Sequence, residues 1–180
     1  YGDRMALIYE LHLTYADGSK TVVTSNEGWK AAAGPVQESS IYDGEFYDVT
    51  KEIPGWCDAN MDDNDWIYCR KIDLGYDRLE ARRSLPVKVM ETIKPKELII
   101  TPAGESVIDF GQNFVGWVKF NYNAPEGHKV MLQWGECLQE DNFFNGNLRS
   151  AKEEYTIVSN GEPFVAEPHF TFYGGRYIKV

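Results

Sequence analysis

Apolar and polar residues alternate strictly from Met5 to Tyr15, with Met5, Leu7, Tyr9, Leu11, Leu13 and Tyr15 on one face and Glu10, His12 and Thr14 on the other. Successive side chains of a strand point to opposite faces, so this period of two predicts a half-buried β-strand. Ala16-Asp17-Gly18-Ser19 follows, and then the β-branched run Thr21-Val22-Val23-Thr24. The Asp-Gly pair supplies the positive-φ turn of an antiparallel hairpin. Further short β-type runs fall at Val87–Ile93, Leu98–Thr101, Val107–Phe110, Trp117–Tyr122, Val130–Trp134, Tyr155–Val158 and Arg176–Val180. Each is closed by a Gly, Pro or Asn cluster, such as Thr101-Pro102-Ala103-Gly104 or Ala124-Pro125-Glu126-Gly127. Strands at that spacing predict an all-β fold of antiparallel β-sandwich or jelly-roll type.

Helical signals are confined to a turn at Asp62–Trp66, where Asp62 can cap backbone amides, and to Leu148–Glu154. The stretch from Ala31 to Asp65 carries Gly34, Pro35, Gly44, Pro54 and Gly55 and is expected to be a long irregular loop, either functional or packed by its own Trp and Tyr residues. The charged run Arg78–Arg83 leads into Leu85-Pro86, the expected junction between two modules at 1–85 and 86–180. No internal repeat or low-complexity tract interrupts them.

The 180 residues are enough for one domain or two small ones. Lys and Arg total 18 against 28 Asp and Glu, a formal charge of −10 that repels phosphate backbones and anionic headgroups. Nucleic acid and membrane surfaces are therefore excluded as expected partners. A hydrophobic content of 43% with 14% aromatics is far too apolar for a disordered tail. No run approaches the roughly 20 apolar residues of a membrane helix, and Tyr1-Gly2-Asp3-Arg4 lacks a signal-peptide layout, so no compartment is indicated. Cys57, Cys69 and Cys137 are odd in number and widely spaced, which favours free, buried thiols over a disulfide framework or a zinc site. His12, His128 and His169 are scattered, with no metal-ligand spacing and no neighbouring cysteine nucleophile.

The acidic loop Asp58–Asp65 invites comparison with a calcium loop, because alternate carboxylates can converge on one hard cation. It fails as an EF-hand: starting at Asp58 puts Asp63 where glycine is required and Cys69 where a bidentate glutamate belongs. No cofactor is expected, and an irregular calcium site on an oxygen-rich loop is the one metal reading left open. Two positioned carboxyls suffice for glycoside hydrolysis, yet no pair among the 28 stands out in the sequence. Ile41-Tyr42-Asp43-Gly44-Glu45-Phe46-Tyr47-Asp48 is the sharpest candidate for a ligand contact. Its aromatics can stack on sugar faces while its acids accept from hydroxyls. Tyr42, Asp43, Glu45 and Tyr47 are accordingly the candidate substrate-binding residues, with a tight turn and core tyrosines as the competing explanation. Gln112 and Asn113 carry amides able to serve a polyol or to satisfy a strand end.

The same segments carry a family resemblance. Trp29, Gly34-Pro35, Ile41-Tyr42-Asp43-Gly44-Glu45 with Tyr47-Asp48, Pro54-Gly55-Trp56, and Asp62-Asp63 with Trp66 resemble, in that order, the amino-terminal accessory domain of bacterial α-L-rhamnosidases. Asp109–Asn113 with Gly116-Trp117-Val118, Glu126-Gly127, Gly135–Leu138, Asn147–Ala151, Tyr155, Phe170-Thr171-Phe172 and Gly175-Arg176-Tyr177 resemble the concanavalin-like sandwich that follows it. The resemblance implies the latter part of a galactose-binding-like jelly roll at 1–85 and a β-sandwich at 86–180. It also implies that the catalytic acids belong to an (α/α)₆ barrel with no counterpart here, so no catalytic residue carries over. The expectation is a non-catalytic accessory fragment of an enzyme that hydrolyses terminal α-L-rhamnose with inversion. Its partners would be the barrel of the same polypeptide and a rhamnose-containing glycan. A stand-alone lectin-like module is the alternative, and a small hydrolase using its own carboxylates is the third.

Overall fold

The computed structural model describes residues 5–180. The absence of a signal-like layout at Tyr1–Arg4 concerns residues outside that range. Fifteen strands form among the described residues: β1 (Glu10–Thr14), β2 (Lys20–Thr24), β3 (Lys30–Ala31), β4 (Val36–Ser40), β5 (Gly44–Asp48), β6 (Ile67–Tyr68), β7 (Glu97–Ile100), β8 (Ser106–Gly116), β9 (Phe120–Tyr122), β10 (Lys129–Gly135), β11 (Cys137–Gln139), β12 (Asn142–Phe144), β13 (Glu154–Val158), β14 (Phe164–Ala166) and β15 (Tyr173–Lys179). The only helical turns among the described residues are short 3₁₀ segments at Val49–Lys51 and Gly146–Leu148, so the fold is all-β. No helix among them is long and apolar enough to cross a membrane.

Two compact units form. One comprises the chain up to Ala33 together with Gly55–Leu85, and the other comprises Gly34–Pro54 with Pro86–Val180. In the first unit β1 and β2 make the expected hairpin, in register from Glu10 opposite Thr24 to Thr14 opposite Lys20. Gly18 takes φ +83°, and Asp17 Oδ1 accepts from the amide and hydroxyl of Ser19 at 2.9 and 2.7 Å, closing the turn. The expected strand from Met5 is shorter than its pattern, because β2 offers only five partners, and the ladder begins at Glu10. Nor is it half-buried: Met5 is fully exposed at 102% and no described residue of this unit is buried, so its apolar face has no opposing layer here. The Asp62–Trp66 segment forms a hydrogen-bonded turn rather than the expected helical one, with Asp62 Oδ1 accepting from Asn64 N at 3.1 Å and the Asp63 carbonyl accepting from Trp66 N at 3.0 Å. Lys30 holds Asp63 at 2.8 Å.

The second unit is built on a seven-stranded sheet in the order β4-β5-β13-β10-β15-β8-β7. Its core face carries Tyr47, Tyr155, Ile157, Leu132, Trp134 and Ile178, covered by Tyr122 and Ala166 from the β9–β14 pair. Trp134 stacks on Tyr173 with ring centroids 3.9 Å apart. The pairings are antiparallel except one: β5 runs parallel to β13, an arrangement open to strands joined by no short turn. That pairing also reshapes the expected 31–65 loop. Gly44 takes φ +101°, and a Cβ there would lie 1.8 Å from the Glu154 carbonyl oxygen, so glycine lets β5 approach β13 and the 36–48 segment becomes a hairpin. Val87–Ile93 forms no strand, and the expected helical turn after Leu148 is replaced by the 3₁₀ segment before it. The cysteines are free as expected but not buried: Cys57 and Cys137 are exposed and Cys69 is half-buried.

Candidate functional site

β5 points Glu45 and Tyr47 to the same face, as residues two apart in a strand must be. Glu45 is only 3% exposed. Its carboxylate accepts from the amides of His169, at 3.0 and 3.1 Å, and Phe170, at 3.0 Å, and lies 3.0 Å from His169 Nδ1. An ionised carboxylate only accepts, so the donor of that last bond is the imidazole Nδ1–H. The Glu45 side chain therefore fixes the loop from Pro168 to Phe170.

Tyr47 lies beside this anchor, its ring stacked on His169 with centroids 4.8 Å apart and planes 14° from parallel. Its hydroxyl donates to Glu52 Oε1 at 2.8 Å. Burial, reinforced by Glu52, pushes the Tyr47 hydroxyl well above the ordinary tyrosine range. Glu52 is placed by the 3₁₀ turn Val49–Lys51, whose start is capped by Asp48 Oδ1 accepting from Thr50 N at 3.1 Å. Opposite stands Glu167, which accepts from Trp117 Nε1 at 2.7 Å and pairs with Lys119 at 2.9 Å. Those donors, Trp117 first and then Lys119, hold the Glu167 carboxyl below its usual range. Between these walls lies a cleft of about 270 Å³, with Tyr155 buried beneath it and Phe164 at its apolar side.

Tyr42 and Asp43 stand elsewhere, on the turn that joins β4 to β5. Tyr42 is 56% exposed, and the turn is docked by its main chain: the carbonyls of Tyr42 and Asp43 accept from the amides of Glu153 and Glu154 at 3.1 and 3.0 Å. The Thr171 hydroxyl donates to the Ser40 carbonyl at 3.0 Å, which draws the exposed Phe170 and Phe172 segment alongside. Burial raises the Glu153 carboxyl above its usual range, the Gly174 amide opposes the shift, and the neighbouring Glu136 charge adds to it. The four candidate residues thus divide. Glu45 and Tyr47 come together across His169, whereas Tyr42 and Asp43 form an exposed aromatic and acidic turn.

His169, Glu52 and Glu167 were not singled out by the sequence. His169 contacts Glu45 across 124 residues, a separation at which no local pattern links them. Gln112 and Asn113 are exposed on β8, over a buried ion pair in which Arg176 Nε and Nη2 donate to Asp109 at 2.7 and 2.8 Å. Among the described residues no group of three or more His, Cys, Asp or Glu side chains is assembled for a metal ion.

Residues 1–91 match the family model described as alpha-L-rhamnosidase N-terminal domain, and residues 99–180 match that of the bacterial alpha-L-rhamnosidase concanavalin-like domain. The chain belongs to the α-L-rhamnosidase family. It is 36% identical to an α-L-rhamnosidase of Streptomyces avermitilis over 184 aligned residues, which take in 100% of this chain and 18% of that protein. The structure of native α-L-rhamnosidase from Aspergillus terreus superposes with a TM-score of 0.89 at 31% identity, covering 96% of this chain and 20% of that one. That of the Streptomyces avermitilis α-L-rhamnosidase complexed with L-rhamnose gives 0.85 at 32% identity, covering 96% and 17%. The chain therefore spans about a fifth of the rhamnosidases it matches, and both matched regions are homologous to accessory parts of those proteins.

Proposed function

We propose that this chain is the non-catalytic β-region of an α-L-rhamnosidase, serving to brace a catalytic (α/α)₆ barrel of the same polypeptide and to assist recognition of a rhamnose-containing glycan. The observation that carries the reading is the state of its buried carboxylates. Glu45 is engaged by two amides and an imidazole, and Asp109 by Arg176 and the Gly111 amide. Inverting glycoside hydrolysis needs one carboxyl free to donate a proton and another free to activate water, roughly 6.5–9.5 Å apart. Carboxylates tied to backbone and guanidinium donors hold loops and strands in place instead.

Glycan contact, in this proposal, falls to Tyr42 and Asp43 at the exposed end of the Tyr42–Tyr47 segment. The Tyr42 ring offers a face to the apolar side of a rhamnose and Asp43 accepts from its hydroxyls, while Glu45 and Tyr47 anchor the other side of the strand to His169 and Glu52. A few such contacts on an open surface give millimolar affinity, about −4 kcal/mol. Titration of L-rhamnose into ¹⁵N-labelled protein, with and without calcium, tests this: saturable shifts at Tyr42 and Asp43 that disappear in Asp43→Ala are expected. Shifts that map to 109–117 and survive the substitution would refute the assignment.

A further inference from the structure

The cleft between Tyr47 and Glu167 is lined by neither Tyr42 nor Asp43, the two turn residues proposed above to touch the glycan. We propose that it is a second binding site, whose ligand is a neutral hydroxylated ring of monosaccharide size. Its volume of about 270 Å³ lies just under the roughly 300 Å³ at which small-molecule sites begin. A compact ring fills such a space; an extended or drug-sized ligand does not.

The lining selects the chemistry. Phe164 and Pro168 offer apolar surface to the C–H face of a ring. The polar groups around them are mainly acceptors: the Glu52 carboxylate and the Glu167 carboxylate. A ligand that donates several hydrogen bonds in different directions satisfies them. Two carboxylates would also attract an organic cation, but Glu167 is already paired with Lys119 and bonded by Trp117, and Glu52 already receives the Tyr47 hydroxyl. The charge available to a cation is thereby reduced, while each carboxylate keeps lone pairs for a hydroxyl. The walls are set before a ligand arrives, since Glu45 locks one through residues 169 and 170 and the capped 3₁₀ turn fixes the other. A preformed wall lowers the ordering cost of binding.

The test uses the full chain, ¹⁵N-labelled, titrated separately with L-rhamnose, D-galactose and n-butylammonium chloride. Saturable amide shifts at 47, 52, 164–167 and 169 with a sugar are expected, together with a change in the His169 ring protons. Glu52→Gln should weaken the affinity by about tenfold, the effect of one lost hydrogen bond of about 1.4 kcal/mol, and Tyr47→Phe should weaken it less, because it removes the hydroxyl that positions the Glu52 carboxylate, with other amide signals unmoved. Tyr47→Phe serves if Glu52→Gln disturbs the fold. Binding of n-butylammonium in preference to both sugars would overturn the assignment, as would sugar shifts confined to 41–43 and 170–172 or none at the cleft. Shifts at the cleft without shifts at the turn would uphold this site and refute the turn as the glycan contact, so the two proposals fail separately.

Discussion

Replacing Arg176 with methionine removes both guanidinium donors from Asp109, a carboxylate only 2% exposed, and leaves it the Gly111 amide at 2.6 Å. Breaking a buried ion pair by removing one partner costs about 3–5 kcal/mol, because the remaining charge stays desolvated. The Arg176 side chain is about a third exposed, so water can enter as it leaves, and the lower end, about 3 kcal/mol, is the expected loss. The loss should depend on pH. Arg176, aided by the Gly111 amide and opposed by burial, holds the Asp109 carboxyl down to about 2. A carboxyl depressed in the folded state contributes its full stability above the ordinary carboxylate range and loses it as pH falls toward the folded value. The difference between parent and Arg176→Met is therefore largest near neutrality and shrinks between about pH 4 and pH 2. Urea unfolding followed through the amide signals of β8 and β15 reads the second unit alone, at neutral pH and at about pH 3. A difference below about 1 kcal/mol at neutrality, or one unchanged by acid, would refute the reasoning.

Substitutions at three further positions test the framework. Gly44→Ala should destabilise the second unit by at least about 2 kcal/mol and disrupt the β5–β13 pairing, seen as faster amide exchange at 154–158, because it adds a clash with the Glu154 carbonyl to a positive-φ strain. Glu45→Ala strips acceptors from the His169 and Phe170 amides and should cost about 2–4 kcal/mol in urea unfolding, with loss of protection at 169 and 170. Trp117→Ala, at a half-buried indole, should cost about 3 kcal/mol, and Trp117→Phe about 1–2 kcal/mol for the lost bond to Glu167; coincident denaturation midpoints would contradict both.

Much of the fold was legible wherever a short-range rule applied. The Asp17-Gly18 hairpin, the non-helical turn at Asp62 and the β-type runs from Leu98 onward, with Trp117–Tyr122 shortened to Phe120–Tyr122, depend on turn chemistry and on a period of two, which operate within a few residues. Met5–Tyr9 shows the limit of that rule. The alternation is real, but pairing and burial need a partner strand and an opposing layer that the local pattern does not specify. The 36–48 segment was obscured for a related reason: Val36-Gln37-Glu38-Ser39-Ser40 is too polar to look like a strand, and its role follows from β5 lying beside β13, far along the chain.

The site was legible in part. Aromatics alternating with acids around Gly44 drew attention to Tyr42, Asp43, Glu45 and Tyr47, yet the alternation that makes the pattern visible also sends its members to different places. Tyr42 and Asp43 precede the strand and stay on the exposed turn, while Glu45 and Tyr47 share its buried face. The residues that complete the cleft, His169, Glu52 and Glu167, enter through tertiary contacts that carry no sequence signature.

The most direct measurement of the central claim is hydrolysis of an aryl α-L-rhamnoside by the purified chain. Under the proposed function the acid and base on which bond cleavage depends lie in the barrel and not in this chain, so release of the aryl group should match the buffer blank. Turnover above that blank, abolished by replacing a single aspartate or glutamate of this chain, would contradict the account.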